Sequence, residues 1–266
     1  MLAFALAPAA CSLTDLDGLS SGGPVGDSGT LPPDSGPDAV AKDGSADADG
    51  APDGPFCKSR TGYAFCADFD EGTAPAPFDE LSLEGMGNSI TYDSADFRSA
   101  PRSALFTGGN PSEFSRAGLT WKSKTITTEV VVELDVRVLD LGKRPFDIIG
   151  FSNGADDDLE LEINELGVLQ FDIDRVLPDG GDGGQVIPTT GILDTAWHHV
   201  TFRATRSGTD TMNVTVSLDE KVVGTATGTP AKQVLGSPVL SIGDSDLEPT
   251  STPWKLRLDN VLVTVK

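Results

Sequence analysis

Glu160, Glu162 and Glu165 stand together in the run DLELEINEL. Side chains alternate along a strand, so Glu160 and Glu162 share one face while Leu161 and Ile163 point the other way. Two carboxyls about 5–5.5 Å apart are what retaining glycoside hydrolysis requires. Glu160 and Glu165 are the pair that could act as nucleophile and acid/base, although Glu165 falls at a turn. Other acidic groups could hold calcium, which takes 6–8 oxygen ligands. Asp68 and Asp70 lie early in the folded region and Asp259 near its end. Asp156-Asp157-Asp158 and Asp244 with Asp246 are two further clusters. His198 and His199 are the only histidines, and as strand neighbours they face opposite ways and cannot share one metal. No recognisable motif places a Ser or Cys nucleophile beside them. Trp121, between Leu119 and a basic pair, is the tryptophan expected to be exposed and to offer a ring to a sugar. Trp197 and Trp254 are expected to pack. The glycine-rich run 178–184 lacks the Lys-Ser/Thr and following helix of a phosphate loop.

The chain has three cysteines. Cys11 follows LAFALAPAA, an apolar run too short to span a bilayer, for which about 20 apolar residues are needed. Small residues directly before a Cys resemble a bacterial lipobox, which implies export and lipidation of Cys11. Pro8 stands where the lipobox usually has Leu, and no basic stretch precedes the run. Cys57 and Cys66 either close a disulfide around KSRTGYAF or remain two free thiols; an oxidising destination favours the disulfide. No CxxC pair or Cys/His cluster is present, which argues against structural zinc.

Residues 12–55 are almost wholly Ser, Gly, Pro, Asp and Ala, without an aromatic. Such a segment cannot bury enough apolar surface to offset its ordering entropy and is expected to be a disordered acidic tether. From Phe56 to Lys266 the pattern changes to short alternating runs separated by Gly, Pro, Asn and Asp. In TTEVVVELDVRVLDL, Val130, Val132, Leu134, Val136 and Val138 fall on one face, predicting a long strand with a buried side. DLELEI and VLQFDI, joined by a turn ending in Gly167, predict a hairpin. A second hairpin is expected across Asp219-Glu220, and further strands at 199–205, 239–242 and 256–265. No helical period is sustained. An all-β fold, a sandwich or barrel, follows.

Net charge is −22, from 41 acidic and 19 basic residues. That field repels nucleic acid and anionic lipid surfaces, so neither is an expected partner, and any membrane contact is expected to run through the lipid anchor alone.

Several segments resemble the laminin-G-like, concanavalin A-like lectin/glucanase jelly roll. Asp194-Thr-Ala-Trp197-His198-His199-Val200 is similar to that family's Trp-His-His/Arg-Val strand opening. NVTVSLDEKVVGTAT is similar to its strand–turn–strand hairpin, with Glu220 where Gly is usual. Ser237 to Gly243 and Leu256 to Val261 resemble its late strands, the last with a buried Asp at 259. Phe65 to Asp70 and Ser99 to Leu105 resemble the early strands of bacterial members. The match spans residues 56–266. Glucanases of this fold carry E-x-D-x-(x)-E on one strand; here Glu162 replaces the Asp. The family hosts lectins, adhesive modules and glycosidases, so the resemblance implies the fold and not the activity. It also makes terminal strands neighbours, which is why Asp68, Asp70 and Asp259 are grouped for calcium.

The expected protein is therefore a tether over 12–55 after a signal remnant over 1–11, carrying a jelly-roll antiparallel β-sandwich over 56–266. It is expected to be a monomer, exported and lipid-anchored in a bacterial envelope. Its expected role is non-catalytic carbohydrate binding, with adhesion to a surface protein, a structural role, or divergent glycoside hydrolysis through Glu160 and Glu165 as alternatives.

Overall fold

The computed structural model describes residues 56–266 except 71, 109–114, 125–126, 153–158, 174–183, 210, 229–234 and 248–252. Cys11 and the tether, Asp156 to Asp158 and most of the glycine-rich run 178–184 lie outside the described residues, as do the side chains of Asp244 and Asp246.

Among the described residues, a single turn of 3₁₀ helix, Phe56–Ser59, precedes fifteen strands. They are β1 (Phe65–Ala67), β2 (Glu80–Glu84), β3 (Ser89–Asp93), β4 (Ser103–Gly108), β5 (Ser115–Lys122), β6 (Glu129–Asp140), β7 (Phe146–Ser152) and β8 (Leu159–Ile163). There follow β9 (Val168–Ile173), β10 (Gln185–Ile192), β11 (Trp197–Arg206), β12 (Met212–Leu218), β13 (Lys221–Gly228), β14 (Val239–Leu247) and β15 (Trp254–Val265). They form two antiparallel sheets packed as a sandwich. The first runs β13-β12-β11-β6-β15-β4-β3, with β1 also paired to β15; the second runs β10-β9-β8-β7-β14-β5-β2.

The alternation read from the sequence carries the packing. In β6 the side chains of Val130, Val132, Leu134, Val136 and Val138 are buried, and β11 adds Val200, Phe202 and Ala204 to the same layer. β8 contributes Leu159, Leu161 and Ile163 from the opposite sheet, all fully buried. Aromatic rings bridge the layers: Phe151 of β7 lies 5.6 Å from Phe202 of β11, and Phe146 of β7 stacks 4.9 Å from Trp254 of β15. Burying one such side chain stabilises by roughly 1.5–3 kcal/mol, so the two sheets hold each other face to face.

Both expected hairpins form. Asn164 closes the β8–β9 turn by accepting from the N–H groups of Leu166 and Val168 through its side-chain oxygen, at 2.9 and 3.0 Å. The β12–β13 turn holds Asp219 and Glu220 in left-handed conformations, φ 49° and 67°. That is the geometry of a two-residue hairpin turn, which glycine usually supplies.

Cys57 and Cys66 form a disulfide, with Cα atoms 5.8 Å apart. It ties the 3₁₀ turn to β1, and Tyr63 reinforces the loop by donating its hydroxyl to the Cys57 carbonyl at 3.2 Å. β1 and β15 are neighbours, with Phe65 opposite Val263 and Ala67 opposite Val261.

Candidate functional site

Because Leu159, Leu161 and Ile163 point into the sandwich, Glu160 and Glu162 project from the outer face of the seven-stranded sheet. Register decides what meets them. Glu160 is opposite Gly150 of β7 and Asp172 of β9; Glu162 is opposite Asp147 and Gln170. The first row continues through Ser241 of β14 and Thr120 of β5 to Glu80 of β2. A register shift in β7 between Asp147 and Ile149 leaves Ile148 as an extra residue, and both isoleucines are buried. Bulges of this kind re-aim the side chains beside them.

The carboxylates of Asp147, Glu160 and Glu162 converge, each offering an oxygen within 4.8 Å of the others. Among the described residues this is the acidic group able to gather around one ligand atom. Gln170 donates its amide to Glu162 at 2.6 Å, which orients that carboxylate. At Gly150 the face is low: a β-carbon there would meet nothing closer than 3.7 Å, and its neighbours would be Ser241 and Glu160. The result is a polar patch with acceptors on one side of a gap in the side-chain row. Such a patch can take hydroxyl or ammonium donors, or supply carboxyl oxygens to a cation.

Glu165 lies in the β8–β9 turn and is exposed. The group that forms around Glu160 draws on Glu162 and Asp147 instead. Glu165 is thus not among the carboxylates that converge on Glu160. Asp147 could not be read beforehand, because only the β7–β8 register brings it there.

The acidic residues grouped for calcium at the chain ends do not form such a cluster. Each has been taken up as a hydrogen-bond acceptor. Asp68 accepts from the N–H of Cys57 at 3.0 Å, and Asp70 from the N–H of Arg102 at 3.3 Å. Asp259 is fully buried; its Oδ2 accepts from the N–H groups of Arg98 and Ser99 at 2.9 and 2.8 Å, and its Oδ1 from Asn260 at 2.8 Å. These bonds lash the β3–β4 loop onto the outer face of the first sheet. Burial pushes the Asp259 carboxyl up to about 8, against the pull of the three backbone donors, and the charge of Asp135 adds to the rise.

Arg257, also buried, clamps the same loop. It donates to both oxygens of Asp93, at 2.8 and 3.2 Å, and to Ser103 Oγ at 3.1 Å. Trp197 joins by donating Nε1–H to Asp96 at 3.0 Å. Trp121 is half-buried, with its ring 5.5 Å from that of Phe65. It lies against the core and does not stand clear as a platform. Trp254 is core, as its phase with Leu256 and Leu258 predicts.

The two histidines point to opposite faces and each is held by carboxylates. His198 places Nδ1 2.8 Å from Asp219 and Nε2 3.1 Å from Asp194. Burial of the ring opposes its charge, but the bonds to Asp219 and Asp194 outweigh this and raise its pKa. His199 places Nδ1 3.0 Å from Asp135, a bond that raises its pKa against burial, with Glu133 3.8 Å from Nε2.

No protein-family model and no curated protein matches the sequence. Solved structures do match its fold. The endo-β-1,4-glucuronan lyase from the fungus Trichoderma reesei aligns at 14% identity and a TM-score of 0.58, over 77% of this chain and 96% of that one. The cellulose induced protein Cip1 aligns at 14% identity and a TM-score of 0.54, over 76% and 97%. The binding domain of botulinum neurotoxin serotype D/C aligns at 11% identity and a TM-score of 0.53, over 77% of this chain and 49% of that one. The fold is that of the concanavalin A-like jelly-roll sandwiches, and identities this low carry the fold alone.

Proposed function

We propose that this domain binds carbohydrate on the outer face of its seven-stranded sheet. The observation that carries the reading is the convergence of Asp147, Glu160 and Glu162, with Gln170 behind them and the gap at Gly150 beside them. A sugar presents many hydroxyl donors, and a few convergent polar groups are what fix its orientation. The rows through this face are mainly polar, which favours a sugar over the flat apolar patch of a protein partner. Sugar-related proteins among the structural neighbours agree with the reading at the level of fold.

A glycan array probed with the full chain tests it. Binding is expected, and Glu160→Gln with Glu162→Gln should weaken it by about tenfold or more, the loss of one or two charge-assisted hydrogen bonds. A blank array for the unaltered chain would sink the proposal.

Hydrolysis is the second reading, favoured by one observation: Asp147, Glu160 and Glu162 each bring a carboxyl oxygen within 4.8 Å of the others, and glycoside hydrolysis works with a pair of neighbouring carboxyl groups. Release of reducing ends from a bound oligosaccharide, lost in Glu160→Gln, would establish it.

We further propose that the module is displayed at the cell surface by lipidation of Cys11. The disulfide between Cys57 and Cys66 suits an exported destination. Mass spectrometry of the membrane fraction would reveal the acyl chains, and an unmodified Cys11 would end the idea.

A further inference from the structure

The two strand orders end in four edge strands, and three of them are guarded. β10 and β13 close on each other: Thr190 donates its hydroxyl to the Val223 carbonyl at 3.0 Å, and a β-carbon on Gly191 would meet Val223 at 2.8 Å. β10 also carries Pro188, a residue that blunts an edge. Against β3 lies the segment that leads into β2. Tyr92 donates its hydroxyl to the Ala76 carbonyl at 2.9 Å, and the Phe69 ring is 5.1 Å from that of Tyr92. The fourth edge, β2, pairs with β5 on one side and, among the described residues, with no strand on the other. Leu81 is opposite Leu119 and Leu83 opposite Ala117. Directly opposite residues of an antiparallel pair share a face, and Leu119 and Ala117 are fully buried. Leu81 and Leu83 therefore belong to the inner face, yet they are 38% and 43% exposed. Met86, just past the strand, is exposed as well. An unpaired edge with open apolar positions is a template for another strand.

The residues of β2 say which strand fits. Glu80-Leu81-Ser82-Leu83-Glu84 reads the same in both directions. We infer that β2 pairs antiparallel with β2 of a second copy, about a two-fold axis at Ser82, joining two seven-stranded sheets into one. A two-fold interface uses the same patch twice and so needs a self-complementary one. About this axis Leu81 lies opposite Leu83 of the second copy, twice over, and the four leucines cover one another along the inner face. A slip of one residue would set leucines against outer-face positions, so the alternation fixes the register. On the outer face Glu80 meets Glu84 of the second copy, and each acid brings its own cation. Lys122 pairs with Glu80, and Arg116 lies 3.9 Å from Glu84. Two acids and two bases thus meet on each side of the axis, and the junction is neutral in a chain of net charge −22. A five-residue strand makes a small interface, and the net charge repels the copies at long range. The dimer is therefore weak and concentration-dependent.

The test is analytical ultracentrifugation of the full chain carrying Cys11→Ser, which can be neither lipidated nor bridged through that residue. The fraction of dimer should rise from micromolar to millimolar concentration. Leu81→Lys with Leu83→Lys should weaken association by about tenfold or more, since it removes the apolar contact and sets like charges together. Its melting temperature, measured alongside, shows whether the domain still folds. A second pair of variants reads the register directly. Ser82→Cys places two thiols on the axis, where directly opposite β-carbons lie about 4.5–5.5 Å apart. It should oxidise to a covalent dimer about tenfold or more faster than Thr225→Cys, an exposed position on the opposite edge strand. If the lysine variant unfolds, the cysteine comparison decides alone. A monomer at every concentration would leave this edge to a strand of some other protein and overturn the inference. A dimer that persists in the folded lysine variant overturns it, as does equal cross-linking of the two cysteine variants.

Discussion

The indole of Trp254 occupies the space that a side chain on Gly108 would need. The two residues are cross-strand partners on β15 and β4, and a β-carbon on Gly108 would fall 2.1 Å from Trp254 Nε1. The ring is held there by its stack on Phe146, and it is almost fully buried. A glycine in a strand is normally a cost, and here close approach of a large ring explains it.

Gly108→Ala should therefore destabilise the domain by about 1–3 kcal/mol, the usual cost of overpacking. In a domain of this size each kcal/mol lowers the melting temperature by roughly 2–4 °C. Trp254→Leu should lower stability in the native background and cost measurably less in the Gly108→Ala background. Additive effects in that double-mutant cycle would show that the two residues do not compete for one space.

The disulfide gives a second expectation. Cys57 and Cys66 are separated by nine positions in sequence, so the bridge closes a short loop. On the loop-entropy account it stabilises by about 2–3 kcal/mol. Thermal melts with and without reductant should differ, and Cys57→Ala with Cys66→Ala should melt as the reduced protein does. Identical melts under both conditions would mean the clasp restrains nothing that unfolding releases.

Much of this fold was legible because its central strands obey a simple alternation. β6, β8, β11 and β12 follow the pattern expected of a strand with one dry face, while β9 and β15 alternate in sequence although Gln170, Arg257 and Asp259 are buried too. β2, β3, β5, β7 and β10 escaped, for different reasons. β2 and β10 are edges; β2 leaves Leu81 and Leu83 exposed, while β10 contains Pro188 and Gly191. β7 is buried along nearly all its length, so it presents no alternation. The site was half legible for the same reason. Glu160 and Glu162 share a face by local geometry, whereas Asp147 and Gln170 reach them only through register. Trp121, expected to be exposed, is half-buried because its in-phase relation to Leu119 carries it toward Phe65. Asp259 was legible as a buried acid, but not as an acceptor for a loop some 160 residues earlier.

Asp259 also makes stability depend on pH. Its carboxyl, raised to about 8, starts from an unfolded value near 3.9. A group whose pKa rises on folding contributes stability that is complete below the unfolded value and is lost as pH climbs through the folded one. The domain should thus be most stable near pH 4 on this account and lose stability progressively up to about pH 8. Asp259→Asn removes the titration, and its stability should be flatter across that window. It also turns one acceptor oxygen into a donor facing backbone N–H groups, so it should be less stable overall by about 1–3 kcal/mol. Denaturant unfolding at a series of pH values measures both effects. An unchanged slope in the variant would assign the pH dependence elsewhere.

His198 supplies a smaller effect of the same sign in a higher window. Both ring nitrogens face carboxylates, Asp219 and Asp194, so both contacts are hydrogen bonds only when the ring carries two protons. Losing a proton leaves a lone pair directed at a carboxylate oxygen. Because the folded pKa is raised, the contribution is complete below the unfolded value near 6.5 and fades as pH rises through the folded one. The carboxylates are largely exposed, Asp194 at 73% and Asp219 at 55%, so solvent screening limits the gain to about 0.5–1 kcal/mol. His198→Gln should lose that amount below about pH 6 and approach the native protein at pH 9. Titration of the His198 ring followed by NMR should give a midpoint above 6.5, moving down in Asp219→Asn. A midpoint at or below the unfolded value would mean that burial prevails over the two carboxylates.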